Sequence, residues 1–122
     1  MTTQELYASI DGNYDSAKRI LQMDRLINRF ILKFLDEQSC PKLLAAKDAN
    51  DPVGMFEGAH ALKGVCANLG LDRLSAMASD IAEEFRPGHT PSMSAEELDR
   101  RFAELKDLYD RTINGIREFS AQ

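Results

Sequence analysis

The stretch MDRLINRFILKFLDE, residues 23–37, carries apolar side chains at Met23, Leu26, Ile27, Phe30, Ile31, Phe34 and Leu35. These positions step i, i+3, i+4, i+7, i+8, the period of a helix with one apolar face. The spacing predicts an amphipathic helix over about 23–37. No run in the chain alternates apolar and polar residues as a half-buried strand would, so the fold is expected to be all-α.

Working outward, Cys40-Pro41 should interrupt that helix, because the residue before proline is pushed out of the α region. A shorter helical stretch follows over about 41–49. Asp51-Pro52 reads as an N-cap followed by proline at the first helical position, opening a helix over about 52–69. Gly70 offers a left-handed C-cap. Leu74, Met77, Ala78, Ile81 and Phe85 mark a helix over about 71–86, ended by Pro87-Gly88. The segment Pro87–Met93 is expected to be a loop. Ser94-Ala95-Glu96-Glu97 has the form of a capping box, and the helix it opens keeps a seam of Leu98, Phe102, Leu105, Tyr109, Thr112, Ile116 and Phe119.

Toward the amino terminus, Leu6, Tyr7 and Ile10 suggest one short helix and Tyr14 to Leu21 another. The expected architecture is an antiparallel four-helix bundle with short additional N-terminal helices, residues 1–122 forming one domain.

Composition narrows the function classes. Fifteen Lys and Arg against twenty Asp and Glu leave a net charge of −5. That argues against nucleic acid, where a basic face supplies most of the affinity, and against an anionic membrane surface. Two cysteines, Cys40 and Cys66, form no Cys-x-x-Cys pair and suit a reducing compartment. Met1 to Asp11 lacks the pattern of a secretory signal, and no stretch approaches the ~20 apolar residues of a membrane span. A cytoplasmic, monomeric protein is the expectation.

The helix over about 52–69 differs from the others. On a helical wheel Met55, Ala59, Leu62 and Cys66 share a narrow stripe, with Leu69 on its shoulder. His60 lies about 120° from that stripe, toward solvent. Around it stand Val53, Phe56, Ala61, Gly64, Ala67 and Asn68, and the only charges after the Asp51 cap are Glu57 and Lys63. A merely solvated face would carry more. Gly64 costs roughly 1 kcal/mol relative to alanine inside a helix, yet at i+4 it bares the surface beside the imidazole. Lys63, at i+3, brings an ammonium to the same place. Imidazole is a good nucleophile that changes charge close to neutral pH. An accessible imidazole, a cation and a bare patch suit a phosphoryl group carried on nitrogen and a partner that docks around it.

His60-Ala61-Leu62-Lys63-Gly64, followed by Asn68-Leu69-Gly70, resembles the His-x-Leu-Lys-Gly signature of histidine-containing phosphotransfer (HPt) domains. The likeness extends to the aromatic-bearing helix around Phe30 and Phe34, the helix ending Glu83-Glu84-Phe85-Arg86, and the long last helix. It implies a four-helix bundle in which His60 is the phosphorylated nucleophile, relaying a phosphoryl group between receiver-domain aspartates. It implies that Lys63 and Arg86 neutralise the phosphate and that Gly64 clears space beside it; the patch of Val53, Phe56, Ala61, Gly64, Ala67 and Asn68 is the expected docking face. The implied partners are receiver domains of response regulators and of hybrid histidine kinases. No cofactor is expected on this chain: the family has no ATP site, and the receiver supplies the Mg²⁺ and most of the charge stabilisation. One position departs from the pattern. Many members carry Glu or Gln where this chain has Ala82, and that side chain hydrogen-bonds the imidazole; Glu83, Glu84 or water could take the role here.

Other readings fit less well. A metal site from His60, His89 and Cys66 would need a core residue and a solvent residue to converge, and no His-x₃-His or Cys-x₂-Cys pair exists. Cys66 reads as a small buried hydrophobe, Cys40 as a residue near a helix boundary, and His89 as an exposed loop residue. The alternation of charge over Ala95–Arg117 reads as a solvated face. The competing function is a non-catalytic helical adaptor that binds signalling domains through the same face. No receiver or kinase sequence accompanies the bundle, so a freestanding module is expected.

Overall fold

The structure, a computed structural model, describes residues 1–122 and contains helices and no strand. Seven α-helices follow one another: α1 (Thr3–Ser9), α2 (Tyr14–Leu21), α3 (Asp24–Lys33), α4 (Ser39–Asp48), α5 (Pro52–Asn68), α6 (Asp72–Glu84) and α7 (Ala95–Ser120), with a 3-10 turn at Phe34–Asp36. No helix is long and apolar enough to cross a membrane.

Helix α5 lies between α4 and α6 and packs most extensively on those two. Short connections make each of these neighbours antiparallel to it. Helix α7 closes the bundle against α6, α3 and the 3-10 turn, while α1 and α2 cover one end. Buried apolar residues from Leu6 to Ile116 form one continuous cluster.

The α5 boundaries follow local chemistry. Asp51 Oδ1 accepts the Gly54 amide at 3.1 Å, and Pro52 takes the first turn. Gly70 closes the helix at φ +71°, where an added Cβ would fall 2.6 Å from the Asn13 carbonyl oxygen. Tyr7, fully buried, donates its hydroxyl to the Leu69 carbonyl at 2.6 Å and ties α1 to the same end.

Three expectations need correction. The helix predicted over about 23–37 ends as an α-helix at Lys33 and tightens into the 3-10 turn, a common way of using up the last free carbonyls. Helix α4 begins at Ser39, so Cys40-Pro41 lies inside its first turn, where a missing N–H costs nothing. At α7, Ser94 Oγ accepts the Glu97 amide at 3.1 Å, but the return half of the capping box is absent. The Glu97 carboxylate is held by Arg100 and Arg101 instead, in charge-assisted bonds of 2.6 to 2.8 Å.

Of the seven apolar residues that form the stripe, only Ile27, Ile31 and Phe34 are buried; Met23 is 45% and Phe30 38% exposed. The stripe spans about half the helix circumference, and a helix at the margin of a bundle covers less than that.

Gly58 is the close-packing glycine of α5: a Cβ there would sit 2.9 Å from Leu43 Cα on α4. Gly58→Ala is expected to force α4 and α5 apart and lower stability by about 1–3 kcal/mol, despite alanine's better helix propensity. A fall in the urea midpoint checks this; an unchanged or raised midpoint contradicts it.

Candidate functional site

The structure divides α5 as the wheel predicts. Met55, Ala59, Leu62, Cys66 and Leu69 are buried, while Val53, His60, Ala61, Gly64, Ala67 and Asn68 are exposed. Phe56 is half-buried: it packs against the core cluster and also lies against the imidazole. The two rings stack at 5.5 Å between centroids and 20° between planes. His60 makes no hydrogen bond within the chain, so this stack is the contact that orients it.

The expected orienting acid is engaged elsewhere. Ala82 is buried in the core. Glu84 is 4% exposed and accepts the backbone amides of Ser92 and Met93 at 2.9 and 2.6 Å, clamping the loop before α7. Burial works against its charge, but those amides outweigh it and hold the carboxyl below the usual carboxylate range. Glu83 pairs with Arg86 at 3.1 Å. The sequence had already placed Phe56 one turn before His60 on the same face, which is the signal for an i, i+4 ring pair.

Gly64 has nothing within 4 Å of the position its Cβ would take. It is therefore not a packing glycine; the surface one turn from His60 is open. Lys63 is half-buried and joins none of the chain's ion pairs. Its backbone carbonyl accepts from Ser75 Oγ at 2.9 Å, which fixes the register of α6 on α5.

Arg86 follows the end of α6, and its guanidinium is paired with Glu83. Lys63 and His60 are neighbours on one helix.

The other nucleophiles are inert by position. Cys40 and Cys66 are fully buried. Burial pushes the Cys40 thiol up to about 12 and raises that of Cys66 as well, so both stay protonated near neutral pH. Cys66 sits in the core, on the far side of α5 from the imidazole. His89 is in the loop after α6, its Nδ1 3.2 Å from the Glu84 carbonyl.

A nucleophile standing clear of the surface, with an unpaired ammonium one turn away and a shelf without side chains beside it, is arranged to react with a group that another molecule brings. A family model described as Hpt domain matches residues 15–115. No curated protein and no solved structure gives a significant match.

Proposed function

The chain belongs to the Hpt domain family, and on that premise we propose that His60 carries a phosphoryl group between receiver-domain aspartates. Histidine phosphotransfer in phosphorelays is the general role of such domains, with receiver domains as their partners. The observation that carries the assignment to His60 is its exposure beside the open position at Gly64.

An unprotonated ring nitrogen of His60 attacks the phosphorus of an aspartyl phosphate. The N–P bond forms as the P–O bond to the aspartate breaks, the electron pair leaves on the carboxylate, and the other ring nitrogen keeps its proton. The return step reverses these bonds onto a second aspartate. Little covalent chemistry falls to this chain. It positions the ring, through the Phe56 stack, and leaves space for the incoming aspartate above Gly64. The acyl phosphate and its Mg²⁺ arrive with the receiver. We also read the whole chain, α1 included, as one working unit, because Leu6, Tyr7 and Ile10 share the buried cluster with α5.

Incubation with phosphorylated receiver domains tests the reading. Acid-labile label should appear on this chain; a non-catalytic adaptor would bind receivers and take none.

The cation is tested separately. Lys63 can pair with the phosphoryl oxygens once they are on His60. Lys63→Ala is expected to slow transfer by about three- to tenfold and to leave stability within ~0.5 kcal/mol. Arg86→Ala should change the rate by less than about twofold, since an exposed pair with Glu83 is what it loses. Equal losses in the two variants would place Arg86 beside Lys63 in the site.

A further inference from the structure

The step proposed for His60 puts a charge on its ring. Attack uses the lone pair of one ring nitrogen while the other keeps its proton, so a neutral imidazole becomes an N-phosphoryl imidazolium with one positive charge spread over both nitrogens. A group that meets this charge as it develops lowers the barrier to transfer. No carboxylate of this chain is placed to do so. Ala82 carries none, Glu84 is turned inward onto the amides of Ser92 and Met93, and Glu83 is paired with Arg86. Glu57, three residues before His60 on α5, is exposed and joins no ion pair. Lys63 brings a second positive charge, which suits the phosphoryl oxygens and opposes charge on the ring.

What does lie against the ring is Phe56. Its centroid is 5.5 Å from that of the imidazole, with 20° between the planes. The face of an aromatic ring carries negative quadrupole density and attracts a cation within about 6 Å of its centroid. Phe56 stands one turn before His60 on the same helix and packs against the core cluster, so its ring is held in place. Resting on the transfer reading above, we infer that Phe56 takes part in the reaction as well as in the fold: the face of its ring stabilises the positive charge that the imidazole gains as the N–P bond forms. A stack does this without a hydrogen bond. It leaves both ring nitrogens free, one to attack and the other to hold its proton. Phe56 is thus a positioning residue with an electrostatic part in the step, and its aromatic face serves where a carboxylate or amide could otherwise pair with the ring N–H.

Fluorination tests this, because it withdraws charge from the ring face and changes the shape of the ring far less. Whole chains carrying mono-, di- or pentafluorinated phenylalanine at position 56 are compared with the parent, Phe56→Leu and Glu57→Gln. The probe is phosphoramidate, which labels His60 with no receiver docked, the N–P bond forming as ammonia leaves. Labelling is expected to slow stepwise along the fluorinated series, by about tenfold at the pentafluoro ring, and by about three- to tenfold in Phe56→Leu. Glu57→Gln should stay within about twofold of the parent, since an exposed and unpaired carboxylate is what it loses. Transfer from a phosphorylated receiver at saturating concentration should follow the same order. The His60 ring protons should show an upfield ring-current shift in the parent and monofluoro chains that is lost in Phe56→Leu. The fluorinated chains keep the phenyl shape, so they decide the matter even where Phe56→Leu folds poorly. A flat fluorinated series overturns the inference and leaves Phe56 as a shape in the fold alone. So does a loss confined to receiver-dependent transfer, which would make Phe56 a docking contact. Phosphoramidate labelling that follows the series in a chain no receiver phosphorylates refutes the transfer reading and retains the role of Phe56; a parent that phosphoramidate does not label refutes both.

Discussion

His60→Gln should abolish acid-labile phosphate uptake from phosphorylated receivers while the chain folds as before. Glutamine keeps a polar side chain of similar reach but has no nucleophilic ring nitrogen. The structural cost is small because His60 is exposed and its one notable contact is the stack on Phe56. A ring pair is worth about 0.5–1.5 kcal/mol beyond its buried area, and an exposed pair falls at the lower end. The melting temperature should therefore move by only a few degrees. His89→Gln serves as the control: His89 lies in the loop after α6 against the Glu84 carbonyl, and label should persist in that variant. Uptake retained in His60→Gln, or lost only in His89→Gln, would sink the assignment.

Gly64→Gln should separate function from stability more sharply than any other change in the chain. The backbone at Gly64 is helical, and nothing lies within 4 Å of its Cβ position. A larger residue therefore meets no neighbour and removes a glycine that costs roughly 0.8–1 kcal/mol in a helix interior. Thermal stability is expected to hold or rise. Transfer is expected to fall by about a hundredfold or more, because the new side chain occupies the shelf where a receiver must bring its aspartate to bonding distance, and small misplacements of reacting atoms are that costly. Gly58→Ala is the counterpart, with stability lost against Leu43. A Gly64→Gln protein that melts early but transfers phosphate normally would show that the open face has been misread.

These two glycines show where sequence reading stops. Both lie on α5, two turns apart or less, and both carry the same helix-propensity cost. The one whose Cβ would strike Leu43 Cα holds two helices together, and the one with empty space around it opens a surface. Local sequence says that a glycine is present; only the element packed opposite says why. Glu83 and Glu84 make the same point. Following Ala82 in the chain, both were candidates to orient His60. Packing turned Glu84 inward onto the amides of Ser92 and Met93 and left Glu83 on the surface with Arg86.

Local spacing in the chain was enough to read its helical class and the chemistry of α5. The 3.6-residue period of its apolar side chains made it all-helical, Asp51, Gly70 and Ser94 set helix ends through bonds to their own neighbours, and the order His60, Lys63, Gly64 placed an imidazole, a cation and a gap on one helical face. All of this acts over four residues or fewer, within one turn of helix. Packing between elements settled what depends on a second helix: the exposure of Phe30 on a helix whose apolar stripe is wider than its neighbours can cover, the inward turn of Glu84 onto the loop before α7, and the close approach of α4 to α5 at Gly58. Burial, register and close approach are properties of pairs of helices, and the spacing of residues along one helix does not contain them.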